Sequence, residues 1–424
     1  MIALMLLSFL VLMLLGIPMA FSTTGAVILY IVNSGISPEL VPQRFFTTAN
    51  NFAIMAIPLF MIAGELMNSA GITKRIVRLS SALVGHIRGS LAHVTIVASM
   101  IFAGMSGSSA AACASVGSML IPVMKDEGYD AEFGAAVTCC AACLGPIIPP
   151  SITFVVYGSV TGDSIGKLFL GGIIPGVIMG LCLMVIAFII ARKRGYPIKP
   201  KSTWKERYLS LKSSIAALMM PVIIMGGILS GIFTATEAGA IGVAYGLLVG
   251  ILCKELTPKV VVKVFINGAM TTAAIMLVMA SSQILGWILT SIHLPQQLTQ
   301  MLLGISHNPK IIIFVILGIL LFLGCFMIDA AIIPIMAPLF MPVVKQYGID
   351  PIHFGVVMSM MTVTGCVTPP VGNNLYIACG ISGAPVGKTI RDVIPFVGAL
   401  LVSMVIVTMF PKLVTFIPDM VFNK

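Results

Sequence analysis

The stretch Gly145-Pro146-Ile147-Ile148-Pro149-Pro150 lies inside an apolar segment that runs from about residue 133 to residue 160. Proline has no backbone N–H, and its ring clashes with the preceding helical turn, so a regular helix cannot continue through these three prolines. A similar stretch, Gly365-Cys366-Val367-Thr368-Pro369-Pro370, lies inside the apolar segment 354–381. The sequence therefore predicts two helices, at about 133–160 and 354–381, that are broken near their middle.

The composition around these segments is that of a membrane protein. Of the 424 residues, 58% are hydrophobic and 9% are charged, and the mean hydropathy is +1.10. Soluble domains carry about 25% charged residues, and disordered chains combine low hydrophobicity with high charge, so both classes are excluded. Because a spanning helix needs about 20 apolar residues, we predict an all-α polytopic membrane protein with roughly ten to fourteen membrane segments.

The net charge of +10 is concentrated in a few places. Eight basic residues and one acid, Glu206, lie between Arg192 and Lys212. Cytoplasmic loops carry such an excess of Lys and Arg, so we predict a cytoplasmic loop at 192–212 between a first half, 1–191, and a second half, 213–424. The charge thus indicates topology and attraction to membrane lipid, and no nucleic acid is expected.

Two smaller basic clusters are expected on the same side of the membrane. Their basic residues are spaced among Ile, Val and Leu, which is typical of short amphipathic helices that lie in the membrane interface. The clusters are Lys74, Arg75, Arg78 and Arg88, and Lys254, Lys259 and Lys263. Met1 to Leu15 is apolar, but no basic residue precedes Arg44, so we expect a retained first membrane helix and no cleaved signal.

An internal repeat appears when the sequence is shifted against itself by 220 residues. Three blocks then align in register, which predicts two homologous halves. The first block matches Gly104, Ala110 and Ala111 with Gly324, Ala330 and Ala331; the second matches Pro122, Val123, Lys125, Gly128 and Asp130 with Pro342, Val343, Lys345, Gly348 and Asp350; the third matches Gly145, Pro149 and Pro150 with Gly365, Pro369 and Pro370.

Each half also contains a second interruption, about 40 residues before its proline-rich break. The run from Gly104 to Ser109 interrupts the apolar segment 93–123, and Gly324 and Asp329 interrupt the segment 311–344. Two half-length helices joined by a polar tip, a re-entrant hairpin, would fit each segment. Broken backbone in a bilayer is tolerated only where protein buries it or where it lines a cavity. Freed carbonyls suit a small cation and half-helix N-termini suit an anion, so each half is predicted to build half of a combined site.

Charged and reactive side chains in the apolar segments are candidates for functional residues of the site. Asp329 is the central intramembrane carboxylate, and such residues are functional by default. Glu65 and Glu237 lie nearer segment ends, where a structural role such as helix capping is expected. The C-x-x-C spacing of Cys140 and Cys143 is expected to reflect packing, because no second pair completes a metal or redox site.

These motifs resemble the large membrane subunit of the tripartite ATP-independent periplasmic (TRAP) transporters of bacteria. The resemblance covers essentially the whole chain. It departs from the family at Ala235, where proline is common before the Thr-Glu pair. The motifs that carry it are Gly104-Met105-Ser106-Gly107-Ser108-Ser109-Ala110, Gly145-Pro146-Ile147-Ile148-Pro149-Pro150-Ser151, Gly231-Ile232-Phe233-Thr234-Ala235-Thr236-Glu237-Ala238 and Thr368-Pro369-Pro370-Val371-Gly372.

The resemblance implies a sodium-driven secondary transporter of the bacterial inner membrane. Its two repeats would be inverted in the membrane, and a transport domain would move as an elevator against a scaffold. Family members import a small organic carboxylate, such as a C4-dicarboxylate or a sugar acid. They work with a small four-helix membrane subunit and a periplasmic substrate-binding protein, both expected here as separate chains. Two or more Na⁺ ions are expected, with no organic cofactor and no enzymatic activity.

The resemblance also implies site residues by position. The first sodium site would use Ser106, Ser108, Gly145, Ile148 and Pro149. The second would use Gly324, Asp329, Gly365 and Thr368. The substrate candidates between the tips are Ser109, Ser151, Asn373 and Asn374, for which helix capping is an equal alternative.

Three other classes of membrane protein are alternatives to a TRAP subunit. A stand-alone sodium/dicarboxylate symporter would need no binding protein, and the sequence separates it from a TRAP subunit only through the family motifs. An ion channel is less consistent with a duplicated pair of broken helices that lacks a continuous polar stripe. A membrane-embedded enzyme would need clustered carboxylates, an H-E-x-x-H pair or a serine with a placed base, and the sequence shows none of these.

Overall fold

The computed structural model describes residues 2–422, and these form twenty α-helices and no strand. The predicted all-α class is confirmed. The helices of the first half are α1 Ile2–Leu14, α2 Met19–Ser34, α3 Leu40–Ala49, α4 Ala56–Ser69, α5 Ile72–Val84, α6 Ser90–Ser106, α7 Ser109–Asp126, α8 Ala131–Ala142, α9 Ile152–Thr161 and α10 Ile165–Arg194. Those of the second half are α11 Trp204–Leu229, α12 Ala235–Leu252, α13 Pro258–Ser291, α14 Leu294–Ile305, α15 Pro309–Gly324, α16 Asp329–Gln346, α17 Pro351–Gly365, α18 Asn373–Ser382, α19 Val386–Met409 and α20 Lys412–Phe422.

Fewer helices have spanning length than the ten to fourteen segments that we predicted. In residues 2–422, six helices are long and apolar enough to cross a membrane, or seven if α4 and α5, bent by 73°, form one span. The difference arises because several apolar segments are divided into shorter helices. Segment 133–160, for example, becomes α8 and α9.

Two predictions about the basic clusters need correction. The basic loop is shorter than 192–212, because α10 continues to Arg194 and α11 begins at Trp204. A capping box in which Thr203 and Glu206 satisfy each other's backbone N–H groups starts α11 early. The expected short amphipathic helix near Lys259 is also wrong, since the lysine lies in the long α13, which Thr257 caps. Around Lys74 the expected amphipathic helix is present as α5.

The start of the remaining non-helical loop, residues 195–203, is held by ion pairs and a hydrogen bond. Arg194 bridges Asp130 (Nη1 to Oδ2, 2.8 Å) and Asp392 (Nη2 to Oδ1, 2.5 Å). The hydroxyl of Tyr196 donates to Asp130 Oδ2 at 2.6 Å. Burial raises the pKa of Tyr196 to about 12, so this hydroxyl remains a donor at neutral pH. The start of the loop is therefore fixed to α8 and α19.

Helix boundaries recur with the shift found in the sequence. Helices α7 and α16 differ by 220 at both ends, α8 and α17 begin 220 residues apart, and α9 and α18 begin 221 apart. At the centre of the molecule, Cys143 Sγ donates to the carbonyl oxygen of Val363, its equivalent position, at 3.5 Å. The inverted orientation of the two halves stays a prediction.

The helices pack in two groups, which we name the frame helices and the hairpin helices. The frame helices are α1–α5 and α11–α14, and the hairpin helices are α6–α10 and α15–α20. The two groups meet mainly where α5 packs on α6 and where α13 packs on α16. Both groups contain helices from each half, so residues far apart in the chain face each other across their interface.

Candidate ion and substrate site

The first hairpin consists of α6 and α7. Its open ends are close together, since Thr95 Oγ1 lies 3.9 Å from Met124 Sδ. At the tip, Gly107 has φ +59°, and the side chain of Ser108 caps α7 by accepting from Ala111 N. A Cβ on Gly107 would lie 2.8 Å from the carbonyl oxygen of Pro150. The tip of the first hairpin therefore packs directly on the first proline-rich break.

The first break comprises residues 143–151, between α8 and α9. Its Pro149–Pro150 peptide is cis. Gly145 lies beside the tip, because a Cβ there would be 2.9 Å from Ser108 O. Ser151 is fully buried, donates to Pro146 O and caps α9 by accepting from Phe154 N. The structure thus places Gly145 beside Ser108, and it gives Ser151 the capping position.

The second hairpin, α15 and α16, meets the second break in a similar way. Its open ends are joined by a hydrogen bond from Tyr347 Oη to Ser306 O at 2.7 Å. Gly324 and Gly365 touch through their backbones, since a Cβ on Gly365 would lie 2.4 Å from Gly324 Cα. Thr368 lies in the break, residues 366–372, where its hydroxyl donates to the carbonyl oxygen of Thr364 at 2.9 Å.

A cavity of about 530 Å³ lies where the frame and hairpin helices meet at the two tips. Five of the thirteen predicted site residues line it: Ser106, Ser108, Ser109, Asp329 and Asn373. The others lie behind the tips, in or beside the two breaks: Gly145, Ile148, Pro149, Ser151, Gly324, Gly365, Thr368 and Asn374. The frame helices contribute further polar residues that the sequence analysis did not select: Glu65, Asn267 and Thr271.

One hydrogen bond in the cavity joins the two halves of the chain. Thr153, at the start of α9, donates through Oγ1 to Asp329 Oδ2 at 3.0 Å, while Ala330 N donates to Asp329 Oδ1 at 2.9 Å. We did not predict Thr153 as a site residue. It is the position that a shift of 220 relates to Asn373, and the same shift relates Ser109 to Asp329. Applying the repeat to the predicted residues would have found it.

Four helices begin at the cavity, which determines its electrostatic character. Their first residues, Ser109, Ile152, Asp329 and Asn373, all line it. A helix N-terminus carries a partial positive charge and free N–H groups, which suit an anion. Within the described part of the chain, the lining has two carboxylates, Glu65 and Asp329, but no Lys, Arg or His. Positive charge for an anion therefore comes from helix ends and from any bound cation.

Unsatisfied polar atoms near the tips fit a bound ion. Among residues 2–422, Ser106 Oγ is buried and has no hydrogen-bond partner, and the same holds for both side-chain polar atoms of Asn374. Buried polar groups normally have partners, so the oxygens of this set, Ser106 Oγ and Asn374 Oδ1, are available for coordination. A cation with oxygen ligands such as Na⁺ would find hydroxyl, carboxylate and freed carbonyl oxygens here.

The closely spaced cysteines in and beside α8 pack in the protein interior. Cys139, Cys140 and Cys143 are fully buried in and beside α8. Within the described part of the chain, no group of three or more His, Cys, Asp and Glu could hold a metal ion. The capping role expected of Glu237 is confirmed, because it forms a capping box with Thr234 at the start of α12.

Comparison with known proteins agrees with this architecture. Residues 6–413 match the family described as "Tripartite ATP-independent periplasmic transporter, DctM component". The likeness to the YdaH transporter of Alcanivorax borkumensis shows the fold alone, with a TM-score of 0.61 at 13% identity over 89% of this chain and 90% of that one.

Relatives with higher identity cover nearly the whole chain. The sialic acid TRAP transporter large permease protein SiaM of Vibrio cholerae is 38% identical over 409 residues, 96% of this chain and 95% of that protein. The C4-dicarboxylate TRAP transporter large permease protein DctM of Pseudomonas aeruginosa is 38% identical, with coverages of 90% and 91%. The 2,3-diketo-L-gulonate TRAP transporter large permease protein YiaN of Escherichia coli is 37% identical, with coverages of 94% and 95%. All three are named as transporter permeases and not as enzymes, and this chain belongs to the family of large membrane subunits, the DctM components, of the tripartite ATP-independent periplasmic transporters.

Proposed function

We propose that this chain is the sodium-coupled transport subunit of a TRAP system of the bacterial inner membrane. It would import a small organic carboxylate, a C4-dicarboxylate or a sugar acid, by an elevator alternating-access mechanism. A periplasmic binding protein would deliver the substrate, and a small four-helix membrane subunit would complete the complex. The substrates named for the relatives support the carboxylate class.

The observation that carries this proposal is the cavity at the two hairpin tips. Four helix N-termini offer N–H groups to a carboxylate, while Asp329 and the serine hydroxyls offer oxygens to Na⁺. The first sodium ion would use Ser106, Ser108 and carbonyl oxygens of the first break. The second would use Asp329 with Gly324, Gly365 and Thr368. The substrate would lie between them, against Ser109 and Asn373.

Two bound ions would supply the driving force. Moving one elementary charge across 100 mV is worth about 2.3 kcal/mol. Two or more Na⁺ ions carried with one anion could therefore accumulate substrate without ATP. The cavity lies between the frame and hairpin helices, so relative movement of the two groups would expose it to alternate sides.

The test is uptake by proteoliposomes that contain this chain and its small subunit. Succinate and N-acetylneuraminate serve as probes, each with and without the binding protein, and with an inward gradient of Na⁺ or of K⁺. We expect uptake of one probe only with both Na⁺ and binding protein. Uptake without binding protein would favour the stand-alone sodium/dicarboxylate symporter. Equal uptake with K⁺ would overturn sodium coupling.

The cross-half hydrogen bond gives a second prediction. Replacing Thr153 with valine keeps the side-chain shape but removes the donor to Asp329, while Thr153→Ser keeps the hydroxyl. A hydrogen bond to a charged group contributes about 1.5–3 kcal/mol, so we expect Thr153→Val to weaken the apparent Na⁺ affinity about tenfold or more. The measurement is the Na⁺ dependence of uptake. If valine and serine behave alike, the hydroxyl does not position Asp329.

A further inference from the structure

A second, separate groove of about 500 Å³ lies between α5 and the start of α11, away from the cavity at the hairpin tips. Helix α5 contributes Lys74 and Arg78, and the segment at α11 contributes Ser202, Glu206 and Ser210. Lys74 and Arg78 are four residues apart, so they lie on one face of α5. Glu206 is already engaged, because its carboxylate accepts from Thr203 N at 2.8 Å.

Among residues 2–422, no carboxylate forms an ion pair with the basic side chains around this groove. Residues 2–422 form three ion pairs, and none of them includes Lys74, Arg78 or Arg207. Arg207 lies one residue beyond Glu206, and its guanidinium carbon lies 5.3 Å from the centroid of the Trp204 ring. Its Nε is buried and has no hydrogen-bond partner among residues 2–422. The groove therefore presents two cations without ion-pair partners, Lys74 and Arg78, to an anionic ligand, and Arg207 lies next to the lining residue Glu206.

The surroundings of the groove are apolar and aromatic. Trp204 is 83% exposed and Tyr208 65% exposed, and Leu209, which lines the groove, is 53% exposed. Trp and Tyr are enriched at membrane–water interfaces, where their rings lie at the level of the lipid headgroups. Exposed apolar surface beside unpaired cations suits a ligand with an acidic head and acyl chains.

Hydrogen bonds join the two walls of the groove to each other and α5 to α4. Ser214 Oγ donates to Arg75 O at 3.0 Å, which joins α11 directly to the backbone of α5. Thr73 Oγ1 donates to Asn68 Oδ1 at 2.7 Å and ties the start of α5 to α4. Both walls of the groove belong to the frame helices.

We propose that this groove binds the phosphate headgroup of an anionic glycerophospholipid, with Lys74 and Arg78 as its main ligands. Basic pockets between helices on the cytoplasmic side are typical lipid-headgroup sites. The exposed Trp204, Tyr208 and Leu209 would contact the acyl chains. A bound lipid would anchor α5 and α11 of the frame in the membrane interface.

The test uses Trp204 as a local probe. The chain has two tryptophans, so Trp287→Phe leaves Trp204 as the one emitter. This variant is placed in phosphatidylcholine nanodiscs that contain a minor fraction of acyl-brominated phosphatidylglycerol or, for comparison, acyl-brominated phosphatidylcholine. We expect stronger quenching by the brominated phosphatidylglycerol, because the groove would concentrate it beside Trp204.

Variants identify the ligands. In the double variant Lys74→Gln/Arg78→Gln we expect the apparent affinity for phosphatidylglycerol to fall about tenfold, as two surface cations are lost. The control, Lys259→Gln/Lys263→Gln, removes the same charge with the same spacing from α13 and should keep the wild-type quenching. Equal effects of the two double variants, or equal quenching by the two brominated lipids, would overturn the proposal. So would loss of the excess quenching on adding inorganic phosphate at constant ionic strength, since a free phosphate would then suffice.

Discussion

Replacing Asp329 with asparagine is expected to remove most of the sodium-dependent stabilisation of the purified protein. A ligand that binds only the folded state stabilises it by about 2.7 kcal/mol at 100 times its Kd. Asparagine keeps the size of the side chain but removes the negative charge. If the site becomes a hundredfold weaker, the same sodium concentration would stabilise by only about 0.4 kcal/mol.

The measurement is the midpoint of thermal unfolding in detergent across a sodium titration, with choline keeping the ionic strength constant. The control is Asp126→Asn, which removes the same charge from an exposed position at the end of α7. We expect Asp126→Asn to respond to sodium like the wild type. A wild type that responds equally to sodium and choline would contradict a sodium site in the isolated chain. A full response in Asp329→Asn would remove Asp329 from the site.

Gly365→Ala is expected to be the most damaging small substitution in the second half. The added Cβ would lie 2.4 Å from Gly324 Cα and 2.6 Å from its carbonyl carbon. Both are backbone atoms, so no side-chain rotation can relieve the contact, and the second hairpin must move away from the break. Overpacking in a dense core costs about 1–3 kcal/mol, and occasionally more. We expect a lower unfolding midpoint and loss of most uptake.

A matched control for this substitution is available in the same hairpin. Gly318→Ala on α15 places a Cβ that has no heavy atom within 4 Å apart from its chain neighbours and the nearby backbone of its own helix. Because alanine also favours helix over glycine by about 0.5–1 kcal/mol, we expect its stability and uptake to equal or exceed those of the wild type. If both alanine variants behave alike, then the close approach of Gly324 and Gly365 is not required for folding or transport.

The equivalent tip positions Ser109 and Asp329 differ in charge. For this reason we expect substitution of Asp329 to have a large effect on the response to Na⁺. A shift of 220 places Ser109 in the first half where the second half has Asp329. The carboxylate offers a charged oxygen, while the serine offers a hydroxyl. The two halves therefore contribute equivalent positions to the cavity but different side chains. The carboxylate of the second hairpin, Asp329, accepts a hydrogen bond from Thr153 of the first half.

Local sequence signals predicted much of the fold. Prolines 146, 149 and 150 stop a helix wherever they occur, because the missing N–H and the ring clash are properties of the residue itself. The polar run from Ser106 to Ser109 interrupts an apolar segment, and this interruption predicted the first tip. The repeat then extended both interruptions to the second half, where Gly324, Asp329 and Gly365 were found. The helix boundaries agree with these positions.

The same signals could not show which polar residues share a cavity. Ser151 and Asn374 were predicted as substrate candidates between the tips, yet both are fully buried behind them. Glu65 and Asn267 line the cavity from the frame helices, although nothing in their spacing points to it. Helix phase and packing decide whether a side chain faces a cavity or the protein interior, and neither depends on the residue type alone.

Composition and local chain chemistry were therefore sufficient for the membrane class, the two interrupted hairpins and the two broken helices. These features depend on residues close together in the chain, through apolar length, missing backbone donors and helix caps. The hydrogen bond between Thr153 and Asp329 joins positions 176 residues apart. Glu65 lines the same cavity as Asp329, although the two residues are far apart in the chain. Such contacts arise only when the frame and hairpin helices pack together, because packing selects one arrangement among many that the same local signals allow.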